Sequence, residues 1–297
     1  MLLATEKTSV KLLDLDQPAL TLPRNVLMCP PDYFDVVSIK NPHMEGNIGK
    51  INFSSARLQW KNVKNAFEEC GIHVEILPAV AGLDDMVFTA NQGTPFLDVN
   101  GKKKMLLAKM FAENRQGEIA PFAEWFELHG YEIVDCLTDE NDFFEGNGDS
   151  LWHRGRKLLL MGYGYRSTFQ SLEKIVRHIE IPVVAFQLTD PRFYHLDTCC
   201  SILDEQSAMI LPEAFDEQGL ELLQSIFPRL LIVDSGEAAS YLACNAFCPD
   251  NKHVIINIGC PVTCDMLKKN GFIPIEVDTS EYGKSGGSVF CLKLSYW

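Results

Sequence analysis

Ser54-Ser-Ala-Arg-Leu-Gln-Trp-Lys-Asn-Val-Lys-Asn-Ala-Phe-Glu-Glu-Cys-Gly-Ile-His-Val-Glu-Ile-Leu77 carries one complete unit of this chain's architecture. Its apolar positions Ala56, Trp60, Val63, Phe67 and Cys70 recur at steps of three and four, so they share one face of a helix. Gly71 follows where a left-handed cap ends such a helix. Val74-Glu-Ile-Leu77 then reads as a strand, and Asp84-Asp-Met-Val-Phe-Thr-Ala-Asn91 as a polar segment leaving it. Upstream, Val26-Leu-Met-Cys29 is the first strand candidate, stopped by Pro30-Pro31, and residues 1–24 read as polar and irregular.

The same order of helix, strand and polar segment is written four more times. A helix near residues 116–129, with Ile119, Phe122, Ala123 and Phe126, stops at Gly130 and leads through Tyr131–Val134 to Asp142-Phe-Phe-Glu-Gly-Asn-Gly-Asp149. Phe169, Leu172, Ile175, Val176 and Ile179 mark a third helix, followed by Pro182–Phe186 and Asp190-Pro-Arg-Phe-Tyr-His-Leu-Asp197. Leu220, Leu223, Ile226 and Phe227 mark a fourth, followed by Leu230–Val233 and Tyr241–Asn245. Val262, Met266 and Leu267 mark a fifth, stopped at Gly271; Phe272–Val277 is extended, and the Gly286-Gly287 pair and Cys291 close the chain. Repetition at roughly fifty residues points to a ring of five α/β units. The competing reading is an open parallel α/β sheet, but no glycine-rich phosphate loop follows an early strand to favour it.

With 297 residues, 46% of them hydrophobic and 22% charged, the chain can bury a full core in one or two domains. A net charge of −14 speaks against nucleic acid or an anionic membrane as partner and leaves a small molecule as the easier one. No signal peptide or membrane span is legible, so a cytoplasmic location is expected and the ten cysteines are expected to stay reduced. Cys244/Cys248 and Cys260/Cys264 have a three-residue gap, but no further cluster of zinc-site spacing accompanies them, and no metal is expected.

If each unit delivers its polar segment to one end of a shared axis, the centre holds Asp85, Asn91, Glu145, Asp149, His195, Asp197, Asn245 and Cys291. That set offers a thiol nucleophile, one imidazole and several carboxylates. Carboxylates beside a thiolate raise its pKa, which is counterproductive unless the substrate brings positive charge. A guanidinium brings it, in a planar fork that matches carboxylates. The residues therefore point to a cysteine enzyme acting on a cationic, guanidine-like carbon.

Phe88-Thr-Ala-Asn91, Phe144-Glu-Gly-Asn-Gly-Asp149, Phe193-Tyr-His-Leu-Asp-Thr198 and Lys284-Ser-Gly-Gly-Ser-Val-Phe-Cys291, in that order, resemble the guanidino-group-modifying enzymes of the pentein superfamily. The resemblance implies a five-bladed α/β propeller with pseudo-five-fold repeats, built as one catalytic domain over residues 26–297 behind an N-terminal extension of residues 1–25. Asn41-Pro42, Arg115-Gln-Gly-Glu118, Gly162-Tyr-Gly-Tyr-Arg166 and Ala243-Cys-Asn245 bring it closest to the arginine dihydrolases. Several of those carry a further C-terminal domain, which is expected to be absent here because the chain ends at Trp297. Val289-Phe290 departs from the basic or small residue usual before the nucleophile.

By this resemblance Cys291 is the nucleophile, His195 the general acid and base, and Glu145 the carboxylate gripping the guanidinium. Asn91, Asn41, Asp149, Asp197 and Asn245 join the substrate site, and Arg115 and Arg166 are candidates for the substrate's α-carboxylate. The implied reaction is hydrolysis of arginine to ornithine, ammonia and carbon dioxide, without metal or organic cofactor. Deiminase or dimethylarginine dimethylaminohydrolase activity, giving citrulline, is the alternative, followed by an amidinotransferase or a non-catalytic binding protein. Oligomeric state is left open, a homo-oligomer included.

Overall fold

The helix Phe53–Glu69 forms as its spacing requires, burying Ala56, Val63, Ala66 and Phe67 on one face. Asn52 caps its start, accepting the Ser55 N–H at 3.0 Å, and Gly71 stands just past its end at φ +76°. This is a computed structural model, and it describes residues 3–6 and 20–297.

The four later helices, Ile119–Leu128, Phe169–Ile179, Glu217–Ile226 and Pro261–Lys269, match the expected positions to within a few residues. Each buries its apolar stripe on the strands beside it, such as Phe122 and Phe126 in the second and Leu172, Ile175 and Ile179 in the third. Full burial of side chains of this size stabilises by about 1.5–3 kcal/mol apiece.

Five small sheets make the architecture a mixed α/β fold among the described residues. In the first, Asn25–Met28 pairs antiparallel with Leu294–Tyr296 and parallel with His73–Ile76, so the chain's last strand closes onto its first full one. The second joins Gly93–Leu97, Lys103–Leu107 and Glu132–Val134 in the same antiparallel-then-parallel order. Ser150–Trp152, Leu159–Tyr163 and Val183–Gln187 form the third, and Cys200–Ile202, Ser207–Ile210 and Arg229–Ile232 the fourth, again in that order. His253–Asn257 and Ile273–Val277 pair parallel in the fifth, where a single antiparallel bridge from Phe247 to Ile255 replaces the leading strand.

The repeating unit is thus an antiparallel strand pair, a helix and a parallel strand. In the first sheet residues 26–29 are read as a strand and Asn25–Met28 forms one, while in the later sheets the leading pair escapes the sequence reading. Its strands are short and buried on both faces, as in Leu159–Tyr163, so they lack the alternation that marks a half-buried strand. Residues 1–24 are not wholly irregular: Leu3–Ala4 adds a parallel edge strand beside Val183–Val184. Residues 1–2 and 7–19 of the expected extension lie outside the described residues. Every polar segment picked out above lies between the last strand of one unit and the first of the next, which carries five loops toward shared neighbours.

Candidate active site

The Gly146–Gly148 turn explains why the loops meet where they do. Gly146 sits at φ +57°, and a Cβ there would lie 2.6 Å from the Gly93 nitrogen and 2.7 Å from the Asn91 carbonyl oxygen. A Cβ on Gly148 would reach 2.5 Å from Asn91 Nδ2 and 3.2 Å from the His195 ring. Two glycines therefore let the first, second and third polar segments share one spot. Gly146→Ala is expected to cost about 2–4 kcal/mol, from the left-handed backbone together with overpacking against backbone atoms. A denaturant midpoint unchanged from the parent would contradict this close approach.

Glu145, fully buried, stands between His195 and Arg166. Its Oε2 lies 2.7 Å from His195 Nε2, and Arg166 Nη1 donates to Oε1 and Oε2 at 3.3 and 3.2 Å. The Phe111 N–H donates to Oε1 at 3.1 Å. Burial alone pushes this carboxyl upward, but the Arg166 charge and the bond to His195 outweigh it and hold the group well below the usual carboxylate range. Asp149 acts one layer behind, accepting the Leu196 N–H at 3.0 Å and the Ser167 hydroxyl at 2.6 Å, which fixes the backbone beside His195. With no cation in direct contact, burial pushes Asp149 up to about 6.

Cys291 precedes the last strand by three residues and is buried. Its thiol donates to Asp197 Oδ2 at 3.3 Å and accepts from Asn245 Nδ2 at 3.2 Å. Asn245 also clamps the loop, its Oδ1 accepting the Ser288 and Cys291 N–H groups at 3.0 and 3.3 Å. Burial and the neighbouring Asp197 raise the thiol pKa well above its ordinary 9.0, while burial pushes Asp197 up to about 7. Burial and Asp197 thus favour a neutral thiol at residue 291, and a cationic substrate would favour the thiolate. Alkylation of residue 291 by iodoacetamide, read by peptide mass, is accordingly expected to keep accelerating beyond pH 9 in the free protein. A rate that levels off below about pH 7 would mean a preformed thiolate and contradict this electrostatic picture.

A cavity of about 310 Å³, counted to its open mouth, adjoins these groups, with Cys291, His195, Asn91, Asn41, Arg115 and Arg166 among its walls. Arg115 Nη1 donates to Asn91 Oδ1 at 3.0 Å, and its Nε and Nη2 pair with Glu118. Because a guanidinium only donates, the Asn91 oxygen must face it, and the Asn91 Nδ2 is left buried without a partner among the described residues. Arg166 Nη2 donates to the Lys40 carbonyl oxygen at 2.7 Å, and its guanidinium lies 4.7 Å from the centre of the Tyr194 ring. Both arginines reach the cavity, and both already spend donors on protein acceptors.

Of the residues expected from sequence, Asn91, Asn41, Arg115, Arg166, His195 and Cys291 line the cavity directly. Glu145, Asp197 and Asn245 stand behind them, each hydrogen-bonded to a wall residue, and Asp149 holds the backbone of Leu196 next to His195. Lys40, Tyr194 and Ser285 were not among the expected set. The Lys40 ammonium lies 2.6 Å from Asp85 Oδ2, while Tyr194 accepts from Asn41 Nδ2 at 3.2 Å and donates to the Gly286 carbonyl at 3.0 Å. Lys40 and Tyr194 adjoin Asn41 and His195 in the chain, which was the one signal available for them.

A family model described as N,N dimethylarginine dimethylhydrolase, eukaryotic, matches residues 39–294. The chain is 37% identical over 271 residues to the bifunctional arginine dihydrolase/ornithine cyclodeaminase ArgZ of Synechocystis sp., covering 91% of this chain and 37% of that one. It is 33% identical over 282 residues to the N(G),N(G)-dimethylarginine dimethylaminohydrolase of Mycobacterium tuberculosis, covering 94% of this chain and 89% of that one. A crystal structure of the N-terminal domain of ArgZ bound to product, from cyanobacteria, superposes with a TM-score of 0.84 at 35% identity, covering 91% of this chain and 96% of that domain. The chain spans little more than a third of the bifunctional relatives it matches. No helix among the described residues is long and apolar enough to cross a membrane.

Proposed function

The chain belongs to the N,N dimethylarginine dimethylhydrolase family of guanidino-modifying enzymes, and from that premise we propose that it is an arginine dihydrolase, converting arginine to ornithine, two ammonia and carbon dioxide. Cys291 is the nucleophile and His195 the proton carrier; Glu145, expected from sequence to grip the guanidinium, lies behind the wall with both oxygens engaged and instead positions His195. The guanidinium cation favours the Cys291 thiolate, which bonds to the guanidino carbon; His195 gives a proton to one departing nitrogen, and ammonia leaves. Water then adds to the thiouronium carbon and the C–S bond breaks, leaving citrulline and a free thiol. A second attack on the ureido carbon expels the second ammonia and leaves an S-carbamoyl cysteine. Water releases the carbamate of ornithine, which loses carbon dioxide. The balance is arginine plus two waters giving ornithine, two ammonia and carbon dioxide.

The observation that carries the two-step reading is the Asn91 amide. Arg115 engages its oxygen, which turns the unpartnered Nδ2 into a donor for the one acceptor that citrulline has and arginine lacks, its ureido oxygen. A carboxylate at residue 91 has no such donor. Asn91→Asp is therefore expected to shift the citrulline-to-ornithine ratio toward citrulline by about tenfold or more. An unchanged ratio would remove Asn91 from this role. Arginine and dimethylarginine are to be compared as substrates, because preference for the methylated compound with citrulline as product is the family's other reading.

Arg115 and Arg166 hold the α-carboxylate in this proposal, using the guanidinium N–H groups that Glu118, Asn91 and Glu145 leave over. Asp149, Asp197 and Asn245 keep His195 and Cys291 in register, and Asn41 borders the substrate. The five sheets are read as the blades of a five-bladed propeller, supported by the strand order that four of them share and by the last strand's return to the first sheet. Residues 26–297 form its single catalytic domain, with residues 1–25 as an extension. Its partner is a small guanidino compound, met in the cytoplasm.

A further inference from the structure

A second cavity, of about 590 Å³ counted to its open mouth, shares no wall residue with the first. Its walls come from the segments around Ser150–Trp152, Cys200–Ile202, Phe247 and Leu294–Tyr296. In a chain of net charge −14 it carries two cations, Arg154 and Lys293, and no acidic residue among the described ones. Both are over nine-tenths buried, and neither forms an ion pair among the described residues. Arg154 donates to the Ile202 carbonyl at 3.1 Å and to Asn251 Oδ1 at 3.0 Å, both neutral acceptors. The Lys293 ammonium lies 3.4 Å from the centre of the Phe290 ring and 4.6 Å from that of Phe247.

Buried cations without counter-ions are costly, so two in one cavity point to an anion from outside. Burial pushes Lys293 down to about 7, with Asp197 offsetting only part of it, as befits a cation short of a partner. The remaining wall is largely apolar, with Trp152, Phe247 and Phe290 offering aromatic faces. Asn147 Oδ1 is buried without a partner among the described residues and lies on the same wall, an acceptor waiting for an O–H or N–H. Apolar lining and a few convergent polar groups are the marks of a small-molecule site.

We propose that this cavity binds a small aromatic carboxylate bearing a hydroxyl or amino group. Arg154 and Lys293 take its carboxylate, the aromatic side chains cover its ring, and Asn147 accepts from its donor. The proposal does not depend on the reaction assigned to the first cavity, because binding here needs no turnover.

The test is calorimetric titration of the full chain with 3-phenyllactate, its neutral amide and inorganic phosphate, with Trp152 fluorescence as a second reading. One phenyllactate per chain is expected, about tenfold or more tighter than either the amide or phosphate, and weakened to a similar degree by Arg154→Gln and by Lys293→Met. Equal binding of acid and amide needs no variant to interpret and would overturn the proposal. So would tighter binding of phosphate, an affinity indifferent to both substitutions, or a loss of binding in Arg166→Gln alone, which would move the ligand to the first cavity.

Discussion

Cys291→Ser is expected to lower arginine turnover by roughly 10⁴-fold or more while substrate still binds. A serine hydroxyl is far less acidic than a thiol, and the group facing residue 291 is the Asp197 carboxylate, which opposes ionisation further. The guanidinium that would draw a thiolate into being cannot do the same for an alkoxide near neutral pH. The walls that hold the substrate, Arg115, Arg166 and Glu145 behind them, are untouched by the change. Equilibrium binding of arginine should therefore stay within about tenfold of the parent, since nothing but the nucleophilic atom has changed. Turnover within tenfold of the parent, or a covalent adduct on a residue other than 291 after acid quench, would be incompatible with this nucleophile.

Glu145→Gln is expected to act on activity and stability together. Glutamine keeps the size of the side chain but removes the charge that Arg166 and His195 share at 3.2 and 2.7 Å. Activity should fall by about 10²–10⁴-fold, as when a group that tunes and positions a general acid is lost. Leaving Arg166 buried without its partner should also cost about 3 kcal/mol of stability at neutral pH. The pH dependence has a definite sign. Glu145's folded pKa is depressed below the ordinary 4.5, so its contribution to stability is present above that value and is lost as pH falls toward the folded value. The stability gap between parent and variant should therefore narrow on acidification below pH 4.5. A gap that is constant or widens would mean that Glu145 is not held ionised by its neighbours.

How much of this could be read beforehand differs from element to element. Helix Phe53–Glu69 was legible because three- and four-residue steps and a closing glycine are purely local signals, and the same holds for the four helices after it. The polar segments were legible because each follows a strand and concentrates groups that a core does not tolerate alone. The leading strands after the first sheet stayed hidden because those such as Ser150–Trp152 and Cys200–Ile202 are three residues long and largely buried. Their pairing is decided by the partner strand, which local pattern does not reveal. Lys40 was missed because a lysine in a loop is ordinarily a solvated charge, and only the fold brings it against Asp85. Likewise, the spending of Arg115 on Glu118 and Asn91 depends on where two loops cross. The motif Glu145-Gly-Asn-Gly-Asp149 was conspicuous in sequence, yet its reason emerges only when the missing Cβ atoms are placed against Asn91 and His195.

The measurement that bears most directly on two successive attacks by Cys291 is the fate of the guanidino carbon. Incubating the parent protein with arginine labelled with ¹³C at that carbon, and following the label by NMR alongside an ammonia assay, gives the whole balance at once. The expected result is label in bicarbonate, equimolar ornithine and two ammonia per arginine, with no accumulation of citrulline. Label retained in citrulline, with one ammonia per arginine and no ornithine, would contradict it.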